Sequence, residues 1–155
     1  ETYVRNKFGD RADSVYDRVT GVGQEVGIAF EFDRIARQPN TIVPHSLIAA
    51  AQPGPEQERM VEALFQSYFI DGRDLTRPDE LQAIADEAGL DPELAHQAIH
   101  DPAVHAQTAA CDQEARDMGV SGVPFFIFNG RVGVSGAHES QSLLQAMRES
   151  VQDKD

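Results

Sequence analysis

The chain has 155 residues, of which 41% are hydrophobic, enough for one domain with a sizeable core and too apolar for a disordered segment. Its formal charge of -13 argues against nucleic acid or an anionic membrane face as a partner, because phosphate recognition draws on clustered Lys and Arg and no basic stripe exists here. A single cysteine rules out an internal disulfide and any multi-cysteine metal site.

From Tyr3 to Val26, the residues Val15, Val19, Val22 and Val26 recur at helical spacing and predict a helix that tolerates Gly21 and Gly23. Ile28, Phe30 and Phe32 alternate with Ala29 and Glu31, the period of a short strand, and Arg37-Gln-Pro-Asn40 follows as a loop. Leu47 to Ala51 predicts a short apolar helix closed by Gln52-Pro53-Gly54-Pro55.

From Glu56 to Gly119 the chain reads as helical. Met60, Val61, Leu64, Phe65 and Phe69 mark one stripe that Gly72 ends, and Leu81, Ile84, Ala85 and Ala88 mark a second that Gly89 ends. Asp91-Pro92 and Asp101-Pro102 each set a capping carboxylate before a first-turn proline, which predicts two more helix starts. After a hairpin, Leu143, Leu144, Met147 and Val151 predict the inner face of a closing helix.

The densest backbone demands lie in Gly119 to Gly136. Pro124 removes a donor where a strand begins, Phe125 to Phe128 is an unbroken apolar run suited to a strand covered on both faces, and Asn129-Gly130 favours a two-residue type I′ turn. Val132 and Val134 alternate in the returning strand. Two strands alone are marginal in water, so the first is expected to have a second neighbour and a covering layer. The tally is some three short strands against about seven helices.

On these residues the chain resembles the DsbA-like branch of the thioredoxin superfamily, in particular its FrnE-like members. The stretches that carry the resemblance are GVSGVPFFIFNGRVGVSGA (119–137), FEFDRIARQPNT (30–41) and EALFQSYFIDGRDL (62–75). It implies an α/β, thioredoxin-like (DsbA-type) sheet with an inserted all-helical domain. The partial thioredoxin-like domain would span 1–55 and 119–155, the insertion 56–118, and the N-terminal β-α-β unit would be missing from this chain. In that family the proline of the GVP motif is typically cis and faces a Cys-X-X-Cys pair, so Val123 and Pro124 become the expected substrate-binding residues. Proline tolerates a cis bond at modest cost and lacks an N–H, leaving the Val123 backbone to pair with an extended peptide or thiol substrate.

The Cys-X-X-Cys itself is not in these residues, so no catalytic residue is expected in this chain, and this portion alone is expected to be inactive. Cys111 falls in a stripe with Val104, Thr108, Ala115 and Met118, and is expected to be a buried structural thiol. His96 and His100 lie one helical turn apart. No glutamate follows His96 as a zinc-protease motif requires, and Pro102 separates both from His105, so they read as a solvated helix end and not as metal ligands. Arg34, Arg37, Arg73 and Asp74 read as surface charges.

The expected function is thiol-disulfide oxidation or reduction on a protein or small-molecule thiol or disulfide, with no resident cofactor or metal. A homodimer and a cytoplasmic location are further expectations, and no apolar run approaches the roughly 20 residues that span a bilayer. Two alternatives stand beside it. One is a glutathione-dependent isomerase or transferase like the 2-hydroxychromene-2-carboxylate isomerases or kappa-class glutathione transferases. Those tend to carry Asp-Arg after the hairpin glycine, where this chain has Gly136-Ala137-His138-Glu139. The other is a non-catalytic domain that holds an extended peptide at Val123-Pro124.

Overall fold

Prolines set the starts of four successive helices. A helix's first N–H groups have no intrahelical partner, so a proline in the first turn costs nothing there and fixes φ. The computed structural model, which describes residues 12–152, begins helices at each of them: α3 (Pro55–Phe65), α4 (Pro78–Ala88), α5 (Pro92–His100) and α6 (Pro102–Asp117). Before these come α1 (Ala12–Glu25) and α2 (Ile42–Ala50), and after them β1 (Phe125–Phe128), β2 (Val132–Ser135) and α7 (Ser140–Val151). The expected caps form. The Asp91 carboxylate accepts from the N–H groups of Glu93 and Leu94 at 3.0 and 3.1 Å, and that of Asp101 from Ala103 at 2.7 Å. Gly89, left-handed at φ 79°, closes α4, with the Leu90 N–H reaching back to the Ala85 carbonyl at 3.0 Å.

The chain divides into two compact units, Glu1–Ala109 and Ala110–Asp155. In the first, Leu47 of α2, Met60 and Leu64 of α3, Leu81 and Ile84 of α4 and Ile99 of α5 form one buried cluster. Ala85, Ala95 and Ala98 sit inside it, and these small residues let α4 and α5 approach closely. Helix α2 starts at Ile42, five residues before the expected apolar stretch, and packs on α3 and α5 within this cluster. Its buried Ser46 is satisfied: its hydroxyl bonds the Ile42 carbonyl at 3.0 Å and the Thr108 hydroxyl at 2.8 Å.

The second unit is the β1–β2 hairpin with α7 against it. The strands pair antiparallel, Phe125 opposite Ser135 and Phe128 opposite Val132, through Asn129 and Gly130, both at positive φ. Asn129 donates to the Ser150 hydroxyl of α7 at 3.1 Å.

Four expectations require correction. Ile28 to Phe32 is not a strand: the segment is irregular and then turns into a 3-10 helix at Phe32–Arg34, because period-two alternation makes a strand only where a ladder partner exists. β1 has no second neighbour among the described residues, and its Phe run is half-buried with Ile127 exposed. α7 turns Ala146 and Ser150 inward, the Ser150 hydroxyl meeting Asn129 on the hairpin, while Leu144, Met147 and Val151 stay exposed because the two-stranded hairpin is too narrow to cover a wider helix face. On α1, Val19 and Val22 are exposed, and Val26, expected in the same helix, is an exposed turn residue just past its end; the Tyr3–Arg11 part of that expected helix lies outside the described residues.

Ile84, fully buried where α4 meets α3 and α5, should carry the largest single share of this core. Ile84→Ala is expected to lower the unfolding free energy by about 2–5 kcal/mol in urea titration. A loss no larger than an exposed-site substitution would contradict the packing.

Candidate functional site

Two places in the chain have the make-up of a site, one in each unit. The first is the loop that leads into β1. After α6, Gly119 at φ 92° reverses the chain, with the Val120 N–H bonded to the Ala115 carbonyl at 3.1 Å. The Val123–Pro124 peptide bond is cis. The Pro124 carbonyl accepts from the Gly136 N–H at 2.8 Å, which anchors the loop to the end of β2. Val123 is 89% exposed.

The second is an aromatic pocket of about 550 Å³ in the helical unit. One wall is Ile28, Ala29 and Phe30. The other is a continuous helical face, Glu62, Phe65, Gln66 and Phe69, running from α3 into the π-helical turn Gln66–Ile70. Phe69, four residues after Phe65, shares its face as in any helix, and the wider π turn, with its i to i+5 spacing, adds Ile70 to the same wall. Phe69 is the hub of the surrounding rings: Phe30 and Phe65 lie 5.9 Å from it, Phe32 6.0 Å and Tyr68 4.9 Å, centroid to centroid. Burial, with Tyr16 adding to it, pushes the Tyr68 hydroxyl above its ordinary value.

The walls are tied at three points. The Glu31 N–H donates to the Phe69 carbonyl at 2.8 Å, and Arg34 Nη1 reaches the Ile70 carbonyl at 3.4 Å. Gly72, at φ 68°, lies so close that an added Cβ would stand 2.5 Å from the Arg34 Cβ.

The charged residues that follow the π-helical turn in the chain are bound to one another. Arg73 donates to Glu80 and to Glu87, each at 2.8 Å, and the hydrogen bond to Glu80 is the main reason its guanidinium holds its proton more tightly than usual. The hydroxyl of Thr76, at 2.6 Å, holds the Asp74 carboxyl below its ordinary range, and Arg37 stands 4.0 Å from that carboxylate. These residues, surface charges in the sequence reading, form the polar border of the 71–80 loop and helix start.

The three histidines of α5 and α6 are held in different ways. The His96 and His100 rings lie 4.6 Å apart on the exposed face of α5, while His105 bonds the Ala98 carbonyl at 2.9 Å. Among the described residues no group of three or more His, Cys, Asp or Glu could hold a metal ion. Cys111 is exposed, contrary to expectation. The stripe that includes it holds to the helical unit only as far as Thr108; beyond that point α6 turns no residue into a core. Sequence reasoning missed the pocket. Its signal is present in the spacing of Glu62, Phe65, Gln66 and Phe69, but Phe65 and Phe69 fall in one apolar stripe with the buried Met60 and Leu64.

The family profile of the DSBA-like thioredoxin domain matches residues 4–148. The chain belongs to that family. Among solved structures it is similar to the crystal structure of a probable DsbA oxidoreductase from Streptomyces coelicolor, at 28% identity and a TM-score of 0.79. That likeness covers 96% of this chain and 65% of the other, so this chain spans about 65% of the length of the structure it matches. No curated protein matches it. The fold is accordingly the DsbA-like thioredoxin fold, mostly helical in this chain, with a two-stranded sheet. No helix among the described residues is long and apolar enough to cross a membrane.

The close approach at Gly72 can be separated from simple backbone strain by comparison with Gly89, which is also left-handed but has open space where a Cβ would go. Gly89→Ala is expected to cost about 1–2 kcal/mol of stability from left-handed strain alone, and Gly72→Ala clearly more. Equal losses in denaturant titration would mean that the 34–72 contact does not hold.

Proposed function

We propose that the chain is the substrate-holding portion of a DsbA-type, FrnE-like thiol-disulfide oxidoreductase, with Val123 and Pro124 as the edge against which an extended thiol or disulfide substrate lies. The observation that carries this reading is the exposed Val123 immediately before β1, in a chain that belongs to the DSBA-like family. Proline's missing N–H ends strand pairing there, and the Val123 backbone makes no hydrogen bond among those of the described residues, so its N–H and C=O can serve a substrate strand. In the same reading, residues 56–118 are a helical insertion, no cofactor or metal takes part, and the protein works in the cytoplasm.

The chemistry needs two thiols. A thiolate attacks one sulfur of the substrate disulfide, forming a mixed disulfide and expelling the other sulfur as a thiolate; a second thiol then attacks the mixed disulfide, releasing reduced substrate and leaving the protein pair oxidised. A dithiol reductant returns the pair to its starting state. Cys111 is the single cysteine of these 155 residues, so this reading puts the reacting pair outside them. The presence of Gly136-Ala137-His138-Glu139 in place of Asp-Arg speaks against a glutathione carboxylate at the same hairpin.

The 155-residue chain is expected to show no insulin-disulfide reduction above background with a dithiol reductant present. Its exposed Cys111 should react readily with a thiol reagent in the folded state, and Cys111→Ser should change stability by no more than about 0.5 kcal/mol. An extended cysteine-containing peptide should shift the Val123 amide resonance, Val123→Ala should retain that binding, and Val123→Pro, which removes the N–H, should abolish it. Turnover by the 155-residue chain that disappears in Cys111→Ser would overturn the reading, as would peptide binding indifferent to Val123→Pro.

A further inference from the structure

The aromatic pocket of the helical unit has no part in the thiol chemistry above, and its construction is that of a ligand site. Its volume of about 550 Å³ falls in the range of roughly 300–1,000 Å³ typical of small-molecule pockets. Its walls are mainly apolar, yet they carry two polar side chains on one helical face, the Glu62 carboxylate and the Gln66 amide, four residues apart. The walls are held in place before any ligand arrives, by the Glu31–Phe69 backbone bond, the Arg34–Ile70 bond and the glycine contact at residue 72. A pocket already fixed in shape loses little conformational freedom on binding.

The charge around it selects the ligand. Among the described residues no Lys, Arg or His lines the pocket and Glu62 makes no ion pair. The cations nearest in the chain are engaged: Arg34 on the Ile70 carbonyl, Arg59 on the Ala88 carbonyl, and Arg73 between Glu80 and Glu87. An anion would therefore meet a carboxylate and ring faces, both of negative potential, inside a chain whose formal charge is -13. A cation meets the opposite: its charge is attracted by the carboxylate and by the aromatic faces alike, and the chain's field draws it in.

We propose that this pocket, formed by Phe30, Phe65 and Phe69 with Glu62 beside them, binds a small aromatic organic cation, its ring against the phenylalanines and its ammonium group at the Glu62 carboxylate. Gln66 supplies a hydrogen-bonding amide at the same face. The inference does not rest on the thiol-disulfide reading and holds whether or not that reading does.

Calorimetry on the 155-residue chain with three probes of one shape tests it: 2-naphthylmethylammonium, 2-naphthylmethanol and 2-naphthoate. The cation is expected to bind saturably at one site, about fivefold more tightly than the alcohol, with the carboxylate weakest. Added salt should narrow the gap between cation and alcohol. Glu62→Gln, at an exposed position, should bring those two to within about twofold while leaving the alcohol unchanged. Phe65→Ala, whose ring is 57% exposed and outside the buried core, should weaken both by about threefold or more. A circular-dichroism melt of each variant establishes that it folds. Absence of saturable cation binding, naphthoate binding as tightly as the cation, or cation affinity unmoved by both substitutions would overturn the proposal.

Discussion

A single backbone hydrogen bond, from the Glu31 N–H to the Phe69 carbonyl, decides what the 28–34 segment becomes. The segment has the alternation of a strand but no ladder to join among the described residues, so its backbone groups must find other partners. One of them is the carbonyl of Phe69 in the π-helical turn, and the Gly72–Arg34 contact and the Arg34–Ile70 bond lie within a few residues of it. Phe30 and Phe32 are thereby laid against Phe69, and the pocket between this segment and α3 takes its shape.

The helical cluster makes that tie effective. Leu47, Met60 and Ile84 are essentially removed from water, each worth roughly 1.5–3 kcal/mol of burial, and they hold α3 and therefore the turn that extends it. α3 serves two surfaces at once. Met60 and Leu64 enter the core, while Phe65 remains more than half exposed beside the pocket. The hairpin unit is built differently, with only Ala146 and Ser150 of α7 buried and a polar bond from Asn129 to the Ser150 hydroxyl. Its loop before β1 leaves Val123 89% exposed.

The features legible in the sequence were local. Asp91-Pro92 and Asp101-Pro102 started helices because caps and first-turn prolines act over four residues, and Asn129-Gly130 made its turn because both residues accept positive φ. The GVP stretch led to the DsbA-like family, which the match over residues 4–148 establishes. The illegible features depended on partners distant in the chain. Ile28 to Phe32 could not announce that no strand among the described residues pairs with it, and Cys111 carried a helical stripe whose covering surface stops at Thr108. Leu144 and Met147 looked like an inner face because hydrophobic spacing is blind to how narrow the two-stranded hairpin is. The pocket escaped because Phe65 and Phe69 share a periodicity with Met60 and Leu64 while facing another way.

The central claim is that the helical unit holds the 28–34 segment as a fixed wall. Native-state amide hydrogen exchange tests it most directly, at the one N–H that makes the tie. The Glu31 amide should exchange slowly, with protection within about tenfold of the α3 amides, because it opens only when the π-helical turn does. Exchange of Glu31 at the rate of an unprotected loop amide, with α3 still protected, would contradict the account.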